Sequence, residues 1–169
     1  MKKTINQQTS SIAWKGKKIT GSHHGTIKVK EGQLEMENEE LTGGKFVIDM
    51  NTIHVTDLSG ENKEKLEGHL KSDDFFGVKN HPTASLTFTK VTKNEGKNEE
   101  GYRVEGDLTI KETTHPINFN MVIIGNTAES NLKIDRTKYG VRYGSGSFFE
   151  NLGDNTINDN FELDTTLKF

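Results

Sequence analysis

YRVEGDLTI, residues 102–110, and INFNMVI, residues 117–123, set the reading of the whole chain. In the first, Tyr102, Val104, Leu108 and Ile110 fall on one side of an extended backbone, with Arg103, Glu105, Asp107 and Thr109 on the other. In the second, Ile117, Phe119, Met121 and Ile123 alternate with Asn118, Asn120 and a lone apolar exception, Val122. Successive side chains of a strand point to opposite faces, so a period of two marks half-buried strands. The connection between the two runs is short, which implies a hairpin of antiparallel neighbours.

The alternation recurs in both directions from this pair. Phe46, Ile48 and Met50 oppose Lys45, Asp49 and Asn51, and Ala84, Leu86 and Phe88 oppose Ser85, Thr87 and Thr89. Leu132 and Ile134 continue it, and Phe161, Leu163, Leu167 and Phe169 end it against Glu162, Asp164 and Lys168. Turn chemistry separates the runs at residues 30–32, 42–44, 94–98, 125–126 and 144–146. Seventeen glycines and two prolines fit many turns and few helices, with some glycines expected inside strands where a closed sheet bends sharply. The expected fold is all-β: an antiparallel barrel, one domain over residues 1–169, with residues 1–9 as a flexible N-terminal segment.

Composition agrees. Only 30% of residues are hydrophobic, which suits a sheet that needs apolar side chains on one face alone. The net charge of −3, with both signs interspersed, offers no basic stripe for nucleic acid. The absence of cysteine removes disulfides, thiolate metal sites and cysteine nucleophiles together. Apolar runs of about four residues, such as that at 121–124, fall far short of the roughly twenty that span a bilayer, so no stable membrane insertion is expected.

Residues 59–80 break the rhythm. Residues 61–70 are rich in Lys and Glu and set Leu66 and Leu70 four apart, which predicts a short helix capped by Ser59. An irregular stretch with the adjacent Phe75 and Phe76 follows. An excursion carrying its own apolar residues is suited to closing one end of a barrel.

These landmarks resemble the YceI-like family of lipid- and polyisoprenoid-binding proteins. HLKSDDFFGVKNHPTASLTFT (69–89) resembles the family's helix end, its Lys-Ser-x-x-Phe-Phe turn and the Pro-Thr-Ala leading into a strand. GDLTI (106–110), the His115-Pro116-Ile117-Asn118-Phe119 run, FVIDMNTI (46–53), IDRTKYGVRYGS (134–145) and INDNFELDTTL (157–167) match further landmarks in order. Two stretches depart from the pattern: SIAWKGKKITGSHHGTI (11–27) stands where many members have a longer apolar strand pair, and residues 111–114 replace a glycine-containing turn. The resemblance implies a lipocalin-like barrel of about eight strands whose lumen takes an isoprenoid-type lipid such as a polyprenyl phosphate or a quinone tail; no nucleophile with a base and an orienting group stands out in the sequence, so neither enzymatic activity nor a cofactor is expected. It also implies a periplasmic or cell-envelope setting, with any signal peptide already removed; a cytoplasmic one stays open.

The expected lumen wall comprises Trp14, Phe46, Ile48, Met50, Phe75, Phe76, Leu86, Phe88, Tyr102, Leu108, Phe119, Met121, Ile134, Phe161 and Leu163. The same residues would equally serve as packed core, so the rival expectation is a filled structural or stress-response barrel. A weaker third is a small-molecule isomerase or cyclase. Arg136 and Arg142 belong to the one compact basic group and are candidate anchors for a lipid head group, by charge-assisted hydrogen bonds. His23 and His24 would point to opposite faces of a strand and cannot easily share a metal, Ser22 beside His23 lacks a nucleophile turn, and Asp73-Asp74 reads as a solvated turn. A monomer or homodimer is expected.

Overall fold

The structure is a computed structural model that describes residues 1–94, 101–150 and 152–169. In chain order the strands are β1 (Lys2–Thr4), β2 (Ser11–Lys18), β3 (Gly21–Glu37), β4 (Glu40–Val55), β5 (Thr83–Lys93), β6 (Gly101–Ile110), β7 (Thr113–Ile124), β8 (Thr127–Asp135) and β9 (Ile157–Lys168). One helix, α1 (Gly60–Lys71), lies between β4 and β5. Strands β3-β2-β9-β8-β7-β6-β5-β4 pair antiparallel in that order, and the β3–β4 pairing closes the ring. The fold is therefore the eight-stranded antiparallel barrel that alternation and the ordered family motifs together predict. Closure pairs each of these eight strands on both sides, and each presents one face to a common interior.

The N-terminal segment differs from its expectation. β1 pairs with residues 33–35 of β3, beyond the reach of β2, which pairs with residues 21–27. Ile5 N–H then donates to Gly32 O, and Asn6 N–H to Lys168 O. One barrel position is thus shared by two short segments, β1 and β2. The turn between them is made by Asn6, whose Oδ1 accepts the N–H groups of Gln8 and Thr9. Residues 1–9 hold this place because Ile5, buried in the core, anchors them.

Two expected turns are also strand interior. Residues 30–32 lie within β3, where the register shifts at a bulge between Val29 and Glu31, and residues 42–44 lie within β4. Their glycines make room rather than turns. A Cβ on Gly32 would meet the Phe46 ring at 2.6 Å, and one on Gly44 the Phe88 ring at 2.8 Å. The actual β3–β4 turn is Asn38-Glu39, and the β6–β7 turn is Lys111-Glu112, all four with positive φ. Two-residue turns of this kind match the twist of the flanking strands, and here they form without glycine. The turns at 125–126 and 144–146 fall between strands; that at 94–98 lies largely outside the described residues.

The barrel has unlike ends. The β3–β4 and β7–β8 turns and both chain termini share one end, where buried Leu34, Met36, Leu41, Tyr102 and Val104 pack the interior. Helix α1, the β2–β3 and β6–β7 turns and the long segment between β8 and β9 gather at the other.

Candidate functional site

From the helix end a cavity of about 460 Å³ reaches into the barrel. Its walls come from the inward faces of the strands: Trp14 from β2, Phe46, Ile48 and Met50 from β4, Leu86 and Phe88 from β5, Leu108 from β6, Phe119 and Met121 from β7, and Phe161 and Leu163 from β9. Phe46 and Phe88, with centroids 5.6 Å apart, and Phe88 and Phe119, at 5.8 Å, form a run of rings across the floor. The interior is filled at the termini end and open at the helix end, unlike a barrel packed along its whole length.

The irregular segment forms part of the cover. Leu66 and Leu70 of α1 line the cavity, as the four-residue spacing predicts. Ser59 occupies the position before the helix, but its side chain makes no cap hydrogen bond. The chain then folds back on itself: the N–H groups of Phe75 and Gly77 both donate to Ser72 O, and His81 N–H to Gly77 O. This tight turn carries Phe75 and Phe76 against the lumen, where Phe75 meets His69 at 4.9 Å and Phe76 meets Phe161 at 6.2 Å. Asp73 and Asp74 stay exposed.

Polar contacts fasten α1 and its lead-in to the barrel. Glu67 Oε1 accepts Val55 N–H at 2.9 Å and lies 3.0 Å from His54 Nδ1. Asp57 meets His23 Nδ1 at 2.9 Å and accepts His24 N–H at 3.2 Å. Burial alone would raise the Asp57 pKa, but these hydrogen bonds outweigh it and hold the carboxyl below the usual carboxylate range.

Arg136 is the polar centre of the site. β8 ends at Asp135, whose carboxylate accepts from Thr137 N–H and Thr137 Oγ1–H and so turns the chain into the 3-10 segment Arg136–Tyr139. This turn, rather than strand alternation, places the Arg136 side chain. It is 3% exposed, yet it lines the cavity. Its guanidinium donates to three backbone carbonyls: Nε to Asn158 at 3.1 Å, Nη1 to Val141 at 2.8 Å and Nη2 to Ile157 at 3.2 Å. It also lies over the Phe75 ring, 5.4 Å from the centroid. Burial lowers its pKa from the ordinary value, opposed by the charges of Asp159 and Asp135. Asp159 accepts from the Ser145 and Ser147 hydroxyls; burial would raise its pKa, but those bonds and Arg136 hold it below the carboxylate range.

Three expected site residues stand elsewhere. Tyr102 belongs to the packing at the termini end, and Ile134 is buried in the core without lining the cavity. Arg142 is exposed outside the cavity wall, its guanidinium 4.4 Å from the Phe148 centroid. Sequence reasoning missed Ile12, Ile27 and Val29, because Gly and His interrupt the alternation across β2 and β3. It also missed the mouth, where Lys17, Lys18, His23, Asn158 and Asn160 meet the opening. A bulge between Gly16 and Lys18 brings both lysines to the rim, and no period-two pattern signals it. Among the described residues no cluster of three metal-ligating side chains occurs.

Comparison with known proteins agrees with this architecture. A UPF0312 protein of Photorhabdus laumondii is 32% identical over 102 residues, covering 60% of this chain and 49% of that protein. A UPF0312 protein of Staphylococcus epidermidis is 30% identical over 151 residues, covering 82% and 81%. The chain thus spans about half the length of the Photorhabdus relative. Among solved structures, BcnA of Burkholderia cenocepacia superposes with a TM-score of 0.75 at 19% identity, covering 96% of this chain and 98% of that one. A polyisoprenoid binding domain from Saccharophagus degradans, described as implicated in plant cell wall breakdown, superposes at 0.62 and 15% identity, covering 97% and 95%. The YceI-like domain model matches residues 4–169, and on that match the chain belongs to the YceI-like family.

Proposed function

We propose that this protein binds an apolar lipid of isoprenoid type in the barrel lumen, as a carrier or store rather than an enzyme. The observation that carries the reading is the cavity of about 460 Å³, walled by aliphatic and aromatic side chains and met at its open end by a buried guanidinium. Its size lies within the 300–1,000 Å³ or so of small-molecule sites. Burial contributes roughly 0.8 kcal/mol per CH₂, so a tail with about ten buried carbons gains roughly 8 kcal/mol before ordering costs. A wall of this chemistry selects an apolar chain without directed bonds. The Saccharophagus domain of the same fold, described as polyisoprenoid-binding, points to the same ligand class.

Arg136 supplies the polar end. A guanidinium has five N–H donors, and three of them serve carbonyls here, which leaves two for a phosphate or quinone oxygen at the head of the ligand. A cell-envelope setting goes with this reading, and fractionation of the producing cells tests it.

Native mass spectrometry of freshly purified protein is the direct test. The expected result is a mass increment that is extracted by organic solvent and restored by a polyprenyl alcohol, a polyprenyl phosphate or a quinone. A ligand at a hundred times its Kd stabilises the native state by about 2.7 kcal/mol, so thermal unfolding provides a second readout. A bare mass together with unfolding unmoved by any of these lipids overturns the proposal.

A further inference from the structure

Four of the six exposed large hydrophobic residues among the described residues lie at the mouth end of the barrel: Ile19 at 65% exposure, Tyr143 at 46%, Phe148 at 48% and Phe149 at 51%. Ile19 tips the β2–β3 hairpin, and its N–H donates to Thr156 O in the segment joining β8 to β9. A Cβ on Gly146 of that segment would meet Thr156 Cγ2 at 3.3 Å, and the N–H groups of Phe148 and Phe149 donate to Ser145 O just before it. Hairpin tip and aromatic segment are therefore one continuous lip. Tyr143 belongs to both lip and cavity: it lines the lumen and packs edge-on against His69, centroids 4.4 Å apart.

The lip is also basic. Lys17 and Lys18 stand at the rim, with Lys138 and Arg142 on the far segment, all exposed; Glu150 is an exposed acid on the same segment. Arg142 lies over the Phe148 ring, so charge and apolar surface are presented side by side. With an overall charge of −3, these four cations stand on the hairpin tip and its partner segment, while other exposed acids of the mouth end, Glu61, Glu64, Asp73, Asp74 and Glu112, stand on α1, the turn after it and the β6–β7 turn. Aromatic and aliphatic side chains flanked by lysine and arginine are the chemistry of the interface between lipid head groups and acyl chains.

We infer that the mouth docks peripherally on an anionic lipid bilayer, with Ile19, Phe148 and Phe149 entering the head-group layer while the lysines and Arg142 face lipid phosphates. In that pose the cavity opens onto the membrane. A lipid then passes between bilayer and lumen without exposing its tail to water. This inference rests on the lumen being a lipid site, but docking itself needs only the lip.

Sedimentation with vesicles tests it. Full-length protein should pellet with vesicles of equimolar phosphatidylglycerol and phosphatidylcholine, weakly with phosphatidylcholine alone, and less at high salt. The double variant Phe148→Ser, Phe149→Ser should bind at least about 10-fold more weakly, since two half-exposed rings lose their burial in the interface. The pair Lys17→Gln, Lys18→Gln should bind about 30-fold more weakly, at about a factor of five per lost cation near an anionic surface. Ala84→Phe, which fills the lumen wall, should leave vesicle binding intact while lowering the lipid mass increment. Failure of docking with the mass increment retained therefore overturns this inference alone. Wild-type protein that stays in the supernatant with anionic vesicles overturns it. So does dimerisation in analytical ultracentrifugation that the serine variant abolishes, which would make a second copy the occupant of the lip.

Discussion

Replacing Arg136 by methionine keeps the length of the side chain and removes both its charge and its donors. Three carbonyls, of Val141, Ile157 and Asn158, then lose their partner, and Val141 is fully buried. Hydrogen bonds from a charged donor each contribute roughly 1.5–3 kcal/mol, while returning a guanidinium to water recovers several kcal/mol of desolvation. The net effect should resemble removal of one partner from a buried polar pair, about 3–5 kcal/mol, out of a typical total of roughly 5–15. At an m value of about 2 kcal/mol per molar urea, the unfolding midpoint should fall by about 2 M. Trp14 is the single tryptophan and lines the cavity, so its fluorescence follows the transition, with far-ultraviolet circular dichroism as a check. Arg136→Lys should recover little, because an ammonium cannot reproduce the three-way fork. A midpoint within about 0.3 M of wild type would show that the fork does not hold the segment between β8 and β9, and Arg136 would then be free to serve as a ligand group alone.

Further perturbations probe other parts of the molecule. Tyr139 is 2% exposed, its hydroxyl has no partner among the described residues, and burial and then Asp135 push its pKa up to about 12. A raised folded pKa gives stability that is complete below the unfolded value and lost as pH rises towards 12; the loss, on the order of 2 kcal/mol, should vanish in Tyr139→Phe when alkaline unfolding is compared. Asp57 has the opposite sign: its depressed pKa gives stability present above the carboxylate range and lost as pH falls through the folded value, below about pH 4. Hydrogen exchange should therefore show α1 opening more readily in acid in wild type than in Asp57→Asn, where the dependence is absent. The substitutions Lys111→Asn and Glu112→Gly relieve two side chains held at positive φ and should raise stability by about 1 kcal/mol in urea titration. Ala84→Phe projects a ring into the void and should lower lipid affinity at least about tenfold while the far-ultraviolet spectrum stays unchanged.

The strands were legible because alternation follows directly from pleat and burial, while closure into eight strands came with the ordered family motifs. Leu66 and Leu70 likewise announced α1 through spacing alone. Depth was not legible. Tyr102 and Phe119 obey the same alternation, yet one packs the closed end and the other faces the void, a difference set by position along the barrel axis. Gly32 and Gly44 were read as turns because the same absence of a Cβ serves a turn and an overlying ring, and only the partner strand distinguishes them. Asn38-Glu39 and Lys111-Glu112 turn without the glycine that marks such sites. Arg136 was identified by its charge, but its partners were not legible, because the strand stops one residue earlier, at Asp135, and the turn that follows sets its guanidinium against backbone carbonyls.

The unlike ends of the barrel carry a further consequence. Met1 donates its N-terminal ammonium to Met36 O, and Phe169 N–H donates to Asn126 O, so both termini leave from the closed end. Any tether joined to either terminus, whether a sensor surface, an affinity tag or a neighbouring domain, would hold the barrel by its base with the mouth turned outward. Orientation would come from the chain itself, and immobilised protein would present its lumen to whatever is flowed over it.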